Sequence, residues 1–166
     1  MLRSALIDTL SQIEEILDAI LKLPDNQTAV LYIDTRVGSH VRHALDHYKA
    51  LLLLEDSDVV DYNIRSRQSP METDVDAAKR EIAIIREQLC MFTYKDRSVR
   101  VVSEISCSET EVGEFESFLF REILWVVNHT IHHAAMIKVL LGQRGLCLAD
   151  HIGLAPATAS YERGND

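Results

Sequence analysis

Apolar residues recur at intervals of three and four along four stretches of the chain, the spacing that lines one face of an α-helix. In the first, from about Leu2 to Leu23, the stripe is Leu6, Leu10, Ile13, Leu17, Ile20 and Leu21, and Pro24 stops it. The second runs from about His40 to Glu55. Its buried face is Val41, Ala44, Leu45, Tyr48, Leu51 and Leu52, and Ser39 is placed to cap it. Ala78, Ile82, Ile85 and Leu89 mark a third helix over about Asp74 to Phe92. The fourth is the longest, about Glu114 to Leu141, ended by Gly142 or Gly145.

Between these, 56–72 reads as irregular, with turn signals at Asp56-Ser57-Asp58 and Ser69-Pro70. Ser98 to Ser106 is rich in β-branched residues and predicts a short extended stretch or hairpin arm. Leu146 to Asp166, with Gly153, Pro156 and many small residues, predicts a loop-like tail over the helices, a static edge more than a lid. The expectation is one all-α domain over 1–166, a four-helix bundle with a short extended segment between helices three and four.

Composition changes this picture little. At 166 residues, a single domain buries enough surface to fold without disulfides. A formal net charge of −9 repels nucleic acid and anionic membranes, because the basic clusters, Arg65/Arg67 and Lys95/Arg97/Arg100, are too short to compensate. Cys90, Cys107 and Cys147 are odd in number and widely spaced, which predicts reduced thiols and a cytoplasmic protein. Cys90, near a helix end, reads as a buried hydrophobe. The acid-bearing N-terminal stretch reads as neither a signal peptide nor a membrane span.

The chemistry lies in the histidines. Of seven, His40, His43 and His47 fall on the second helix and His129, His132 and His133 on the fourth. Residues four apart on a helix point about 40° from one another, so His129 and His133 converge while His132 faces solvent. The pair lies at the edge of the apolar face, on one stripe with Glu122 and Val126. On the second helix either His43 or His47 is placed to give a third ligand, and periodicity does not choose between them. Three neutral imidazoles suit one divalent transition metal, zinc or nickel first, then iron or manganese, with open positions for water or substrate. HExxH is absent, since Thr130 follows His129, and no Glu stands three residues before His43, His129 or His133 to make a di-iron carboxylate motif.

Other residues bear two readings. Arg65 and Arg67 sit in a loop with Glu72 nearby, either as a clamp for a substrate carboxylate or phosphate or as a surface loop tied down by an Arg–Glu pair. Trp125 lies outside the main apolar arc of its helix, which predicts an interface and a homodimer, with cover by the tail from Leu146 onward as the other reading.

The run HALDHYKALL beginning at His43 resembles the H-x-x-D-H helix of the DinB/YfiT-like superfamily, and NHTIHHAAMIKVLLGQRG beginning at Asn128 resembles its H-x-x-H-H helix. The resemblance spans about 2–145. It implies His43, three residues before Asp46, as the first ligand, with His129 and His133 as the pair. His47, Asp46 and Glu122 become candidates to orient the ligands. It further implies a metal-dependent enzyme acting on a small molecule, a hydrolase or a transferase that uses a low-molecular-weight thiol. A non-catalytic metal-binding or interaction protein is the alternative.

Overall fold

The computed structural model describes residues 1–164. Four long helices supply the core: α1 (Leu2–Leu21), α3 (Val37–Leu52), α4 (Val75–Met91) and α5 (Leu119–Gly142). Both α1 and α3 pack against α4 and α5. The α1 stripe is fully buried at Leu6, Leu10, Ile13, Ile16, Leu17 and Ile20, and each such side chain contributes about 1.5–3 kcal/mol by leaving water. Tyr48 of α3 is buried against α1, where its hydroxyl donates to the Leu6 carbonyl and lies 2.7 Å from the Thr9 hydroxyl.

Pro24 opens a short α2 (Asp25–Ala29), followed by a π-helical turn at Val30–Asp34. Arg36, in the left-handed region at φ 61°, precedes α3. The helix thus begins three residues earlier than its apolar stripe suggests, and Ser39 lies within its first turn and does not cap it. Asp74 does cap α4, accepting from the Asp76 backbone N–H.

The expected all-α four-helix bundle is overturned by a three-stranded mixed sheet. Its strands are β1 (Val59–Asp61), β2 (Ser98–Glu104) and β3 (Val112–Phe118), in the order β1-β2-β3. β1 runs parallel to β2, with Val60 opposite Val101, and β2 runs antiparallel to β3, with Val101 opposite Phe115. Residues 114–118, expected at the start of the last helix, are therefore strand. Glu114-Phe115-Glu116-Ser117 alternates with the period of two that a strand requires, and β2 supplies the pairing. On one face lie Val99 and Val101, both buried; on the other, Arg100 pairs with Glu114. Phe118 joins β3 to α5, and the Leu119 N–H donates to the Arg97 carbonyl.

Two further expectations are corrected. The tail holds a sixth helix, α6 (Pro156–Arg163), none of whose residues is buried. Cys90 is exposed, as are Cys107 and Cys147, and all three are free thiols. Among the described residues, no helix is long and apolar enough to cross a membrane.

The segment from Asp61 to Glu72 is tied to α3. Asp46 accepts from Arg42 and from the Ser66 backbone N–H at 3.0 Å, and Glu72 accepts from Arg42 at 2.8 Å. Gly38 lies directly under this segment. A Cβ there would overlap the Glu72 carbonyl oxygen and the Tyr32 ring, so glycine is what lets α3 and the Pro70–Glu72 turn touch.

Candidate metal centre and cavity

α3 and α5 lie side by side, and this brings their histidines together. His129 Nε2 lies 3.1 Å from His43 Nε2 and 3.1 Å from His133 Nε2. One ring nitrogen from each of these three residues falls within 4.8 Å of the other two. Imidazoles bound to one zinc at roughly 2.0–2.1 Å hold their nitrogens roughly 3.3 Å apart at the tetrahedral angle, so the observed spacing fits a shared divalent ion.

The state of the nitrogens fits as well. Burial pushes His43 down to about 3, His129 to about 4 and His133 to about 2, helped by the neighbouring imidazoles and, for His43 and His129, by the Arg65 guanidinium. All three therefore offer lone pairs at neutral pH, as a metal requires.

His40, given no role from sequence, touches the cluster from behind. Its Nδ1 lies 3.0 Å from His133 Nδ1. With His133 Nε2 turned to the other two ligands, a proton on His133 Nδ1 donated to His40 fixes both tautomer and ring orientation. The signal was its place one turn before His43. His40→Ala is expected to weaken zinc binding by about 10–100-fold with little change in helicity, read by competition titration against a chromogenic chelator; an unchanged affinity would remove His40 from the site. His43 Nδ1 is buried without a partner, and its ring is held by edge contacts with His47, His129 and His133.

The residues expected to orient the ligands do other work. His47 is buried, hydrogen-bonded through Nδ1 to the His43 carbonyl and stacked on Tyr62. Asp46 meets no ligand imidazole and anchors the Ser66 segment. Glu122 is fully buried, accepting from Tyr62 at 2.8 Å, Ser117 at 2.6 Å and Arg121 at 3.0 Å. Burial and the Glu122 carboxylate push the Tyr62 hydroxyl far up, so it stays protonated and donating. His132 is exposed on α5.

His43 and His129 open onto a cavity of about 470 Å³, walled by α3, α5, the Tyr62–Arg65 segment and the β2–β3 sheet. Val101, Phe115 and Trp125 give it apolar surface; Arg65, Arg121 and Glu122 give it charge. Trp125, on which the expected homodimer rests, stacks on His129 with ring centres 5.4 Å apart and carries the Arg121 guanidinium over its ring. Its spacing of four from His129 was the signal for this. Arg65 lines the cavity and Arg67 does not, so the two do not form one clamp. Glu72 pairs with Arg42 and not with either of them.

No family model matches the chain, and no solved structure matches it. The all-α four-helix bundle expected from the sequence is corrected by the three-stranded sheet, and the match to a curated relative is a partial one. That relative is FK506-binding protein 5 of Rhizopus delemar, 32% identical over 105 residues, a match covering 62% of this chain. The match covers 27% of the relative, so the chain corresponds to about a quarter of that protein's length.

Proposed function

We propose that the chain is a metal-dependent enzyme acting on a small molecule, in which His43, His129 and His133 hold one divalent transition metal. The observation that carries this reading is the convergence of three imidazole nitrogens, those of His43 and His129 in the wall of a 470 Å³ cavity and that of His133 beside them. A purely structural zinc site is closed by four protein ligands, whereas three ligands beside a cavity leave room for substrate. The likeness of the two histidine runs to DinB/YfiT-like proteins points the same way. FK506-binding protein 5 is named for binding FK506, and the match covers 27% of its length, so that property is not carried over to this chain.

When bound, the metal lowers the pKa of water or of a thiol and polarises a carbonyl, which suits a hydrolase or a thiol-using transferase. The chain's own residues do the rest. Trp125 covers one face of His129 and, with Phe115 and Val101, gives the cavity its apolar wall. Tyr62 and Ser117 hold the Glu122 carboxylate still at the cavity wall. Three exposed free thiols suit the reducing cytoplasm, where we place the protein.

The test is elemental analysis of untagged protein after reconstitution with zinc or nickel. One ion per chain is expected. A ratio near zero overturns the reading.

A further inference from the structure

Arg65 is the feature of the cavity that the metal reading does not use. Its neighbours are held in place: the Ser66 N–H donates to buried Asp46, and Lys49 donates to the Ser66 hydroxyl at 3.3 Å. The guanidinium itself makes no hydrogen bond or ion pair with any described residue, although it lines the cavity and its field reaches His43, His47 and His129. Arg121, the other cation of the wall, is engaged by Glu122 and Trp125. One uncommitted guanidinium thus faces an apolar wall of Trp125, Phe115 and Val101. A planar fork of donors binds a carboxylate through two parallel hydrogen bonds. The cavity carries no second uncommitted cation, and Glu116 adds a negative charge to its lining, which disfavours a dianion.

We propose that the occupant is a small monoanionic carboxylate with a flat apolar body, its carboxylate on Arg65 and its body against Trp125 and Phe115. The inference rests on taking the cavity as the substrate site. It does not require the ion for binding, so the two can fail separately.

Trp125 is the single tryptophan of the chain, and its fluorescence therefore reports occupancy. Phenylacetate, phenylacetamide and phenyl phosphate are titrated into the full chain, both chelator-treated and zinc-loaded. In the chelator-treated protein phenylacetate is expected to saturate the quenching and the other two to bind about tenfold weaker or less. Arg65→Gln should weaken phenylacetate by about tenfold or more in both forms and leave phenylacetamide unchanged. Arg65→Lys, which keeps the charge and loses the fork, should fall between, and Arg67→Gln should match the wild type. Circular dichroism of the variants is expected to match the wild type, since Arg65 is exposed and its guanidinium holds no described residue.

Phenylacetate binding indifferent to Arg65→Gln overturns the proposal. So does amide or phosphate binding as tight as the acid in the chelator-treated protein, or the absence of saturable quenching at millimolar concentrations. Arg65-dependent binding in a chain that takes up no zinc upholds this inference and overturns the metal reading alone.

Discussion

Changing any one of His43, His129 and His133 to alanine is expected to take the chain from one bound ion to none, while His132→Ala and His47→Ala keep it. The three side chains present their Nε2 atoms to one point, and removing one leaves two imidazoles, too few for a transition-metal site of useful affinity. His132 is exposed, with its ring centre 6.3 Å from that of His129. His47 spends its Nδ1 on the His43 carbonyl at 2.9 Å. Isothermal titration of zinc into the five variants separates these cases. A His47→Ala chain that loses the ion, beside a His43→Ala chain that keeps it, would move the first ligand by one helical turn.

Acid has the second large effect. In the metal-free protein, folded-state values of about 3, 4 and 2 for His43, His129 and His133 lie below the 6.5 of an ordinary histidine. Above pH 6.5 both folded and unfolded chains hold these rings neutral, and stability does not depend on them. As pH falls below 6.5 the unfolded chain takes up protons that the folded chain refuses, so stability drops progressively until the folded values are reached. Between pH 7 and 5, before ordinary carboxylates titrate, the urea midpoint of the metal-free chain should fall. Replacing all three histidines with glutamine should flatten most of that slope. A midpoint that is level over this window in the unsubstituted chain would contradict the burial of the three rings. Zinc, which binds only the neutral rings, adds stability at pH 7 and loses it on acidification.

The sequence made the histidine centre more legible than the fold around it. HxxxH on a helix carries its own geometry, because two rings four residues apart must share a face whatever packs nearby. The apolar stripes of α1 and α4 were equally local, and their ends fall within two residues of the expected bounds. The sheet was not local. Val59–Asp61 is three residues long, and only its partner Arg100–Val102 makes it a strand. Glu114 and Glu116 suit a helix start as well as a strand edge, and the choice was made by β2 across the ladder. The same holds at the cavity. Arg65 and Arg67 look equivalent two residues apart, and the Asp46–Ser66 hydrogen bond, invisible in sequence, turns one of them inward. Trp125 seemed surplus to the core because the face it covers belongs to the site and not to the bundle.

The cavity is assembled from two kinds of part, and this division has an evolutionary consequence. Its reactive end hangs on α3 and α5, whose other faces are the fully packed core, so drift there is penalised twice. Its opposite wall is one face of β2 and β3, where Val101 belongs to the core and Ser117 donates to Glu122, while Ser103 and Phe115 line the cavity without either tie. Ser103 and Phe115 form a replaceable pair. A library confined to them should yield folded proteins with altered ligand preference far more often than one drawn from the helices, and relatives with new substrates should differ first along that wall.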